Sequence, residues 1–448
     1  AFMAKRAQGD SAGLYVLGEQ FAAQYPESEQ LPGMLSTLGQ IAVGRFEVAR
    51  AVTLLRQAAS AGHQQAPQLL AIVAGLQEQL GELDDAEATY LEAIRLAGSP
   101  SGAAESLGKL ATLLERRGDW RRVLSVLEPY ASGGDIEVLA RVGLAKLAAG
   151  RGEEAEMDFQ TVLGAGAGGS PGALARAHFG TAEVLREAFN SYPTLDDALL
   201  VEEYVTIVDV IQQSYLQAVR QQDPDYSPRA LLRLASMQRA AASKVAAFRP
   251  GGEMDAATRD AITQALAQRS QAMNATADEA LEVCARQAWN ARNFSPSARA
   301  CLQGTAANEA LPSFDVPSAG NETAPDVAPE LRDRIARNPE DLEALRGLAE
   351  AFLDSGAPRH ARVVLAAAAE RGGGALEANL LGIAHHQVDD EAAALRAFAY
   401  AAAENLEAGR QNLSEVLRGL GLRDAAAEAL EVFPEGRGGG QSLGGGAS

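Results

Sequence analysis

Five histidines and two cysteines are the residues best suited to metal binding or nucleophilic chemistry, and only two of the histidines are adjacent. His385 and His386 would be the candidates for a metal site. Neighbours on a helix point about 100° apart, however, and cannot chelate the same ion. The simpler interpretation is that His385 packs inside a helical hairpin while His386 faces outward. We therefore predict no metal site and no cofactor.

Cys284 and Cys301 are the only cysteines in the sequence. If the chain turns between Asn293 and Ser295, both lie at similar heights on antiparallel helices, since a helix rises about 1.5 Å per residue. A disulfide is then geometrically possible if the Cα atoms lie within about 7 Å of each other. The alternative is a pair of buried thiols that act as small apolar side chains. Neither cysteine has a recognisable His partner, so a catalytic thiol is not expected.

Motifs of catalytic sites are otherwise missing from the sequence. The glycine-rich stretch 164–169 follows a helical pattern, whereas phosphate-binding loops follow a strand, so it predicts a flexible connection. The pairs Glu202–Glu203 and Asp389–Asp390 are best interpreted as solvated carboxylates. We therefore predict no catalytic residues and no enzymatic activity. The alternative is an enzyme or carrier whose site lies in the irregular region 190–304.

Composition and charge limit the classes of partner that the protein is expected to bind. The formal charge is −20, so a phosphate backbone would be repelled and nucleic-acid binding is not expected. No apolar run approaches the roughly 20 residues that span a bilayer. Because the sequence begins at Ala1 without Met, it leaves open a removed signal peptide or a lipid anchor. Few residues are aromatic, and the abundance of Ala and Leu favours stacked helices over sheets.

A pattern of small and bulky residues near the end of the sequence recurs after 33 residues. Small residues let two helices approach closely, and bulky residues fill the space to the next pair. The first occurrence comprises Leu345, Leu348, Ala349, Phe352, Gly356, Ala361, Leu365 and Ala368. The second comprises Ala378, Leu381, Gly382, His385, Asp389, Ala394, Phe398 and Ala401.

Three similar units lie in the first half of the chain. Gly81, Gly118 and Gly150 occupy the turn between two helices, at spacings of 37 and 32 residues. The same register places Ala86, Val123 and Ala155 early in the second helix and Tyr90, Leu127 and Phe159 further along it. A weaker unit extends from Met34 to Ala61, and a last one begins at Glu407.

This pattern resembles the tetratricopeptide repeat (TPR), over about two thirds of the chain. The resemblance implies an all-α fold, a right-handed α-solenoid of TPR helical hairpins. We expect an irregular long-helix insert within it and a separate C-terminal three-repeat array. Such repeats bury their apolar faces against their neighbours and leave a concave surface.

Five segments follow from the pattern. Residues 1–170 form an N-terminal TPR array, and 171–304 a divergent region of long helices that is expected to break near Thr276 to Asp278. Residues 305–329 are rich in proline and are interpreted as a linker. Residues 330–434 form the C-terminal TPR array, and the glycine-rich tail 435–448 is expected to be disordered.

The resemblance also implies a partner-binding groove, lined by fixed positions of each first helix. Carried over by register, these positions in the C-terminal array are Glu343, Arg346, Glu350, Asp354, Asn379, Ile383, His386, Gln387, Gln411, Glu415 and Arg418. In the N-terminal array they include Gln79, Glu105, Glu115, Arg116 and Leu144. The Lys/Asn clamp with which some TPR domains hold a peptide carboxylate is missing. The mixed lining suits an extended or helical segment with basic and apolar residues.

These observations together predict a non-catalytic scaffold for protein–protein interactions. The richness in Ala and Arg and the possible disulfide are similar to those of periplasmic TPR proteins of GC-rich Gram-negative bacteria. We therefore expect a periplasmic or cell-envelope location, with the cytoplasm as the alternative. The scaffold would then assemble or stabilise a multiprotein envelope complex for motility, polysaccharide export or the outer membrane. The protein or peptide partner and the oligomeric state stay open.

Overall fold

A computed structural model describes residues 11–190, 192, 195, 198–249, 255–305, 314–320, 322–323 and 325–431. These residues contain 21 α-helices and no β-strand. The contacts divide the chain into two compact units, residues 1–113 with 315–448 and residues 114–314. The tail 435–448 lies outside the described residues. None of the helices in the described part is both long and apolar enough to cross a bilayer.

The first unit is built from short helices in adjacent antiparallel pairs. Its N-terminal part contains α1 (Ser11–Gln24), α2 (Leu31–Gly44), α3 (Val48–Ser60), α4 (Ala66–Gln79), α5 (Leu83–Ala97) and most of α6 (Pro100–Arg116). Its C-terminal part contains α15 (Pro329–Arg337), α16 (Leu342–Asp354), α17 (Pro358–Glu370), α18 (Ala375–His386), α19 (Glu391–Ala403), α20 (Glu407–Gly419) and α21 (Arg423–Glu428). The hairpins α2/α3, α4/α5, α16/α17, α18/α19 and α20/α21 each pack along their length.

The second unit has longer helices. They are α7 (Trp120–Leu127), α8 (Ile136–Ala148), α9 (Gly152–Gly164), α10 (Pro171–Asn190), α11 (Ala198–Arg220), α12 (Tyr226–Ala247), α13 (Ala256–Asn290) and α14 (Pro296–Leu302). Two 3₁₀ turns, Glu128–Gly133 and Gly166–Gly168, join helices within it. The all-α hairpin fold predicted from the sequence is thus confirmed.

The glycines that the sequence places between the helices of a hairpin adopt the left-handed conformation. Gly81, Gly150 and Gly356 have φ of 78°, 76° and 70°, values that cost a glycine no steric strain. Asp389 occupies the same place between α18 and α19 and has φ of 62°, which is unfavourable for a residue with a Cβ atom. Phe46 in the α2–α3 turn has φ of 58°. These two turns are therefore the strained members of the set.

Glycines at the predicted close-packing positions meet the bulky residue of the second helix. A Cβ atom added at Gly382 would lie 2.5 Å from the ring of Phe398, and one added at Gly143 would lie 2.5 Å from Phe159. Gly39 makes the same approach to Leu55 in the weaker unit, also at 2.5 Å. Contact this close requires glycine, so the repeating small–bulky pattern reflects direct packing inside each hairpin.

The C-terminal hairpins differ from expectation because they are not separate from the N-terminal ones. Leu76 of α4 and Leu80, which follows this helix, belong to the same hydrophobic cluster as Ile335 and Leu345. Arg362 Nη2 donates to the carbonyl oxygen of Gln79 at 2.6 Å. The chain leaves this unit after Leu113 and returns to it at Asp315, so that the unit is discontinuous in sequence.

Two local expectations also need correction. The break expected near Thr276 to Asp278 is absent, and α13 continues for 35 residues. The described part of the presumed linker is in specific contact with the C-terminal hairpins, since Ser318 N donates to Val388 O at 2.9 Å. Pro317 of this segment is buried. This segment, which forms no helix or strand of its own, is therefore held by the hairpins that come after it in the sequence.

Candidate functional site

The predicted groove residues of the C-terminal hairpins all reach the surface at least in part. Three are half-buried, namely Arg346, Asn379 and Ile383. The others are exposed, namely Glu343, Glu350, Asp354, His386, Gln387, Gln411, Glu415 and Arg418. They belong to α16, α18 and α20, whose opposite faces supply Leu345, Leu381 and Leu417 to the interior.

A cleft of about 530 Å³ opens between α18 and α20. Four of the predicted groove residues line it, namely Ile383, His386, Gln387 and Glu415. The lining is completed by Glu391, Phe398, Asn412, Val416, Gly419 and Leu420. The structure therefore gathers only part of the predicted groove into one concave site.

The floor of the cleft is apolar because Gly382 lets Phe398 of α19 approach α18 closely. Ile383, Val416 and Leu420 complete this floor. The side chain of an incoming apolar residue would be removed from water there, which stabilises a complex by about 25 cal/mol per Å² of apolar area.

The rim of the cleft is polar and acidic. Glu391 and Glu415 are on it, and His386 Nδ1 lies 3.0 Å from Glu391 Oε2. Neither Lys nor Arg occurs among the described residues that line the cleft. Two carboxylates beside an apolar floor favour a ligand that combines an apolar side chain with a positive charge.

An amide pair ties the two first helices together at one end. Asn412 Nδ2 donates to Asn379 Oδ1 at 2.9 Å, whereas the predicted Gln411 donates to Glu407 of its own helix at 3.0 Å. The sequence register selects Gln411 because the last turn follows after 32 residues rather than 33. The recurrence of Asn after 33 residues is the signal that would have identified Asn412.

Several predicted groove residues are engaged within the protein. Arg346 Nη1 lies 3.1 Å from Oε1 of Glu377, a carboxylate that is almost buried, so this pair links α16 to α18. Arg418 donates to Ser414 Oγ at 3.3 Å. In the second unit, Glu115 is buried beside Arg141 and Leu144 is fully buried. Their placement on an N-terminal groove is therefore wrong.

The two cysteines form a disulfide between α13 and α14, with the Cα atoms 5.5 Å apart. The chain turns at 291–295, and Ser295 caps α14 by accepting a hydrogen bond from Ala298 N. Both cysteines are buried. This arrangement is the antiparallel one that the sequence allows.

The irregular middle of the chain packs around a continuous apolar core with a buried ionic group inside it. Glu183 of α10 accepts hydrogen bonds from Tyr215 at 2.6 Å and from Arg233 Nε at 2.6 Å, and Arg233 Nη2 reaches its second oxygen. Burial and the neighbouring carboxylate raise the pKa of Tyr215 well above its ordinary value, which keeps this hydroxyl a donor. These groups satisfy one another and link three helices, which indicates a structural role.

His385 and His386 diverge as the helical geometry requires. His385 Nδ1 lies 3.1 Å from Asp390 Oδ2, whereas the exposed His386 is directed into the cleft. Among the described residues, no group of three or more His, Cys, Asp or Glu side chains is placed to hold a metal ion.

No family model matches the chain, and no curated protein matches it either. A tetratricopeptide repeat protein from Parabacteroides merdae is similar in structure, with 14% identity and a TM-score of 0.32 over 79% of this chain and 98% of that one. Naa15/Naa10 bound to HypK-THB gives 13% identity and a TM-score of 0.29 over 96% and 69%. Yeast Tom70 gives 10% identity and a TM-score of 0.21 over 96% and 92%. These TM-scores are too low to support a shared family or function, so the hairpin assignment rests on the helix packing of the chain itself.

Proposed function

We propose that the protein is a non-catalytic, TPR-like scaffold that docks a segment of another protein in the cleft between α18 and α20. The single observation that carries this proposal is an apolar floor under an acidic rim. The partner segment would place an apolar side chain on Ile383 and direct Lys or Arg towards Glu391 and Glu415. The overall charge of −20 would further favour a basic partner.

Fluorescence anisotropy with two labelled peptides tests this proposal. One peptide carries a leucine flanked by lysines, and the matched peptide carries the same leucine flanked by glutamates. The lysine peptide should bind, and the double change Glu391→Lys with Glu415→Lys should weaken it about tenfold, since two surface ion pairs are lost. The exposed Glu370 at the end of α17 provides the control Glu370→Lys, which should leave the affinity unchanged.

Equal affinity for the two peptides, or the same loss in the control, would mean that the acidic rim does not select the ligand. Loss of binding in Ile383→Ser, with retained helicity, would support the apolar floor.

We further propose that the scaffold works in the periplasm or elsewhere in the cell envelope, within a multiprotein assembly. The Cys284–Cys301 pair supports this location, because disulfides persist in oxidising compartments. Thiol titration of the denatured protein from its native host, with and without reductant, tests it. Thiols are expected only after reduction. Free thiols without reductant would favour the cytoplasm.

A further inference from the structure

Residues 315–320 and 322–323 form no helix or strand and lie across the ends of the C-terminal hairpins, and we call them the strap. The strap lies against the start of α17, the α18–α19 turn and the start of α19. The sequence suggests a free linker here, yet two of its acidic side chains are in direct contact with helix ends.

Glu322 caps α17 from outside the helix. Its carboxylate accepts hydrogen bonds from the backbone N–H groups of Arg359 at 3.2 Å and of His360 at 3.3 Å. His360 Nδ1 lies 2.8 Å from the same carboxylate. The first N–H groups of a helix have no partner within it, and Ala357 at the cap position has no side chain that can accept them.

Asp315 caps the N-terminus of α19 in the same way. Its Oδ2 accepts a hydrogen bond from Ala392 N at 3.0 Å. Asp390, which occupies the cap position of that helix, instead has Oδ2 3.1 Å from His385 Nδ1. The two capping carboxylates are seven residues apart in the sequence and meet the first turns of the second helices of two successive hairpins.

Close packing of the backbone keeps the strap in register. A Cβ atom added at Gly320 would lie 2.6 Å from the guanidinium carbon of Arg359, which in turn donates to Ser318 O at 2.7 Å. A side chain at position 320 would have to displace the guanidinium of Arg359.

The strap also supports the strained α18–α19 turn. Ser318 N donates to Val388 O, and the next residue is Asp389, whose φ of 62° disfavours any side chain with a Cβ atom. On either side of the turn are His386 and Glu391, which line the cleft. A contact made by the strap thus bears on residues that would meet a partner.

We infer that the strap is an intrachain latch that holds the α18–α19 turn and thereby sets the rim of the cleft. In its last step this inference rests on the proposed docking function. Release of Asp315 would uncap α19, free the strained turn and displace Glu391 from the rim, so that a basic ligand binds less tightly.

Amide hydrogen exchange on the full chain tests the latch. Asp315→Ala should speed exchange of Ala392 about fivefold, and Glu322→Ala should do so for Arg359 and His360, as expected for a lost cap. Asp326→Ala is the matched control, because the Asp326 side chain is 93% exposed. Exchange in both variants equal to that of the control would overturn the latch.

The link to the cleft is tested with the lysine-flanked leucine peptide. Asp315→Ala should weaken its binding about fivefold, in line with the loss of one cap. Adding Asp389→Gly, which removes the strain from the turn, should restore it. Faster exchange with unchanged affinity would overturn the coupling between the strap and the cleft. A wild-type chain that does not bind the peptide would contradict the docking function, while the exchange measurement would still decide the latch.

Discussion

The C-terminal hairpins and the long-helix middle of the chain use the same packing element with different outcomes. In the middle, Phe159 lies between two glycines: a Cβ atom added at Gly143 would be 2.5 Å from its ring and one at Gly180 only 2.1 Å. Phe398 in the C-terminal hairpins packs on Gly382, and it also lines the cleft. Both rings are buried, but only that of Phe398 borders the cleft.

The C-terminal hairpins and the long-helix middle also differ in helix length. The helices α16 to α20 have 12 or 13 residues each, whereas α10 to α13 have 20, 23, 22 and 35. Hairpins of constant length repeat their polar face in register, which leaves a groove between first helices. Helices of unequal length cover one another's outer faces. Polar groups buried between them must then form hydrogen bonds within the protein, as Glu183 does. The regular region thus carries the proposed docking surface, whereas the irregular region buries its polar groups in its interior.

The largest expected effect concerns the buried ionic group of the middle. Glu183→Ala leaves Arg233 buried without its carboxylate, and the free energy of unfolding should fall by about 3–5 kcal/mol. Both tryptophans, Trp120 and Trp289, belong to the second unit, so denaturant unfolding followed by tryptophan fluorescence reports on it selectively. The exposed Glu202 provides the control Glu202→Ala, expected within about 0.5 kcal/mol of wild type. Equal stability of the two variants would show that the buried group does not hold the middle together.

The two packing glycines should respond differently to the same change. Gly143→Ala should cost about 3 kcal/mol, because Phe159 is confined on both sides. Gly382→Ala should cost only about 1 kcal/mol, because the ring of Phe398 can turn towards the cleft. Alanine favours the helix more than glycine does, which lowers both costs by a similar amount. The difference in stability between the two variants therefore remains.

Denaturant unfolding measures both glycine variants, with tryptophan fluorescence for Gly143→Ala and circular dichroism for Gly382→Ala. Weaker binding of the lysine-flanked leucine peptide to Gly382→Ala would confirm that the ring moved into the cleft. Equal costs at the two sites would mean that the ring of Phe398 does not shift towards the cleft.

The smallest effect separates two predicted groove residues. Arg346→Ala should lower the free energy of unfolding by about 1 kcal/mol, because the almost buried carboxylate of Glu377 loses its arginine partner. Glu350→Ala, on the same helix and exposed, should stay within about 0.5 kcal/mol of wild type. Thermal unfolding followed by circular dichroism compares them. A destabilised Glu350→Ala would mean that α16 makes contacts through its outer face.

The sequence predicts the role of a residue when that role is set by the local backbone or by helix packing within one hairpin. Gly356 and Gly382 were predictable, because a left-handed turn and a close helix approach each demand glycine whatever lies elsewhere. Ile383, His386, Gln387 and Glu415 followed from helical register.

The remaining parts of the site depend on tertiary contact. Phe398 and Glu391 reach the cleft from α19, outside the first-helix register used for the prediction. Asp315 caps a helix 77 residues further along the chain, and no local pattern signals that contact. A proline-rich acidic stretch is compatible with both a free linker and a docked strap.

The central claim is that a partner segment docks on α18 and α20 rather than on the long helices. Amide hydrogen exchange of the full chain, with and without saturating lysine-flanked leucine peptide, locates the binding site directly. Bound peptide should slow exchange at 383–391 and 412–420 and leave α10 to α13 unchanged. Protection confined to α10 to α13, or no protection at all, would contradict it.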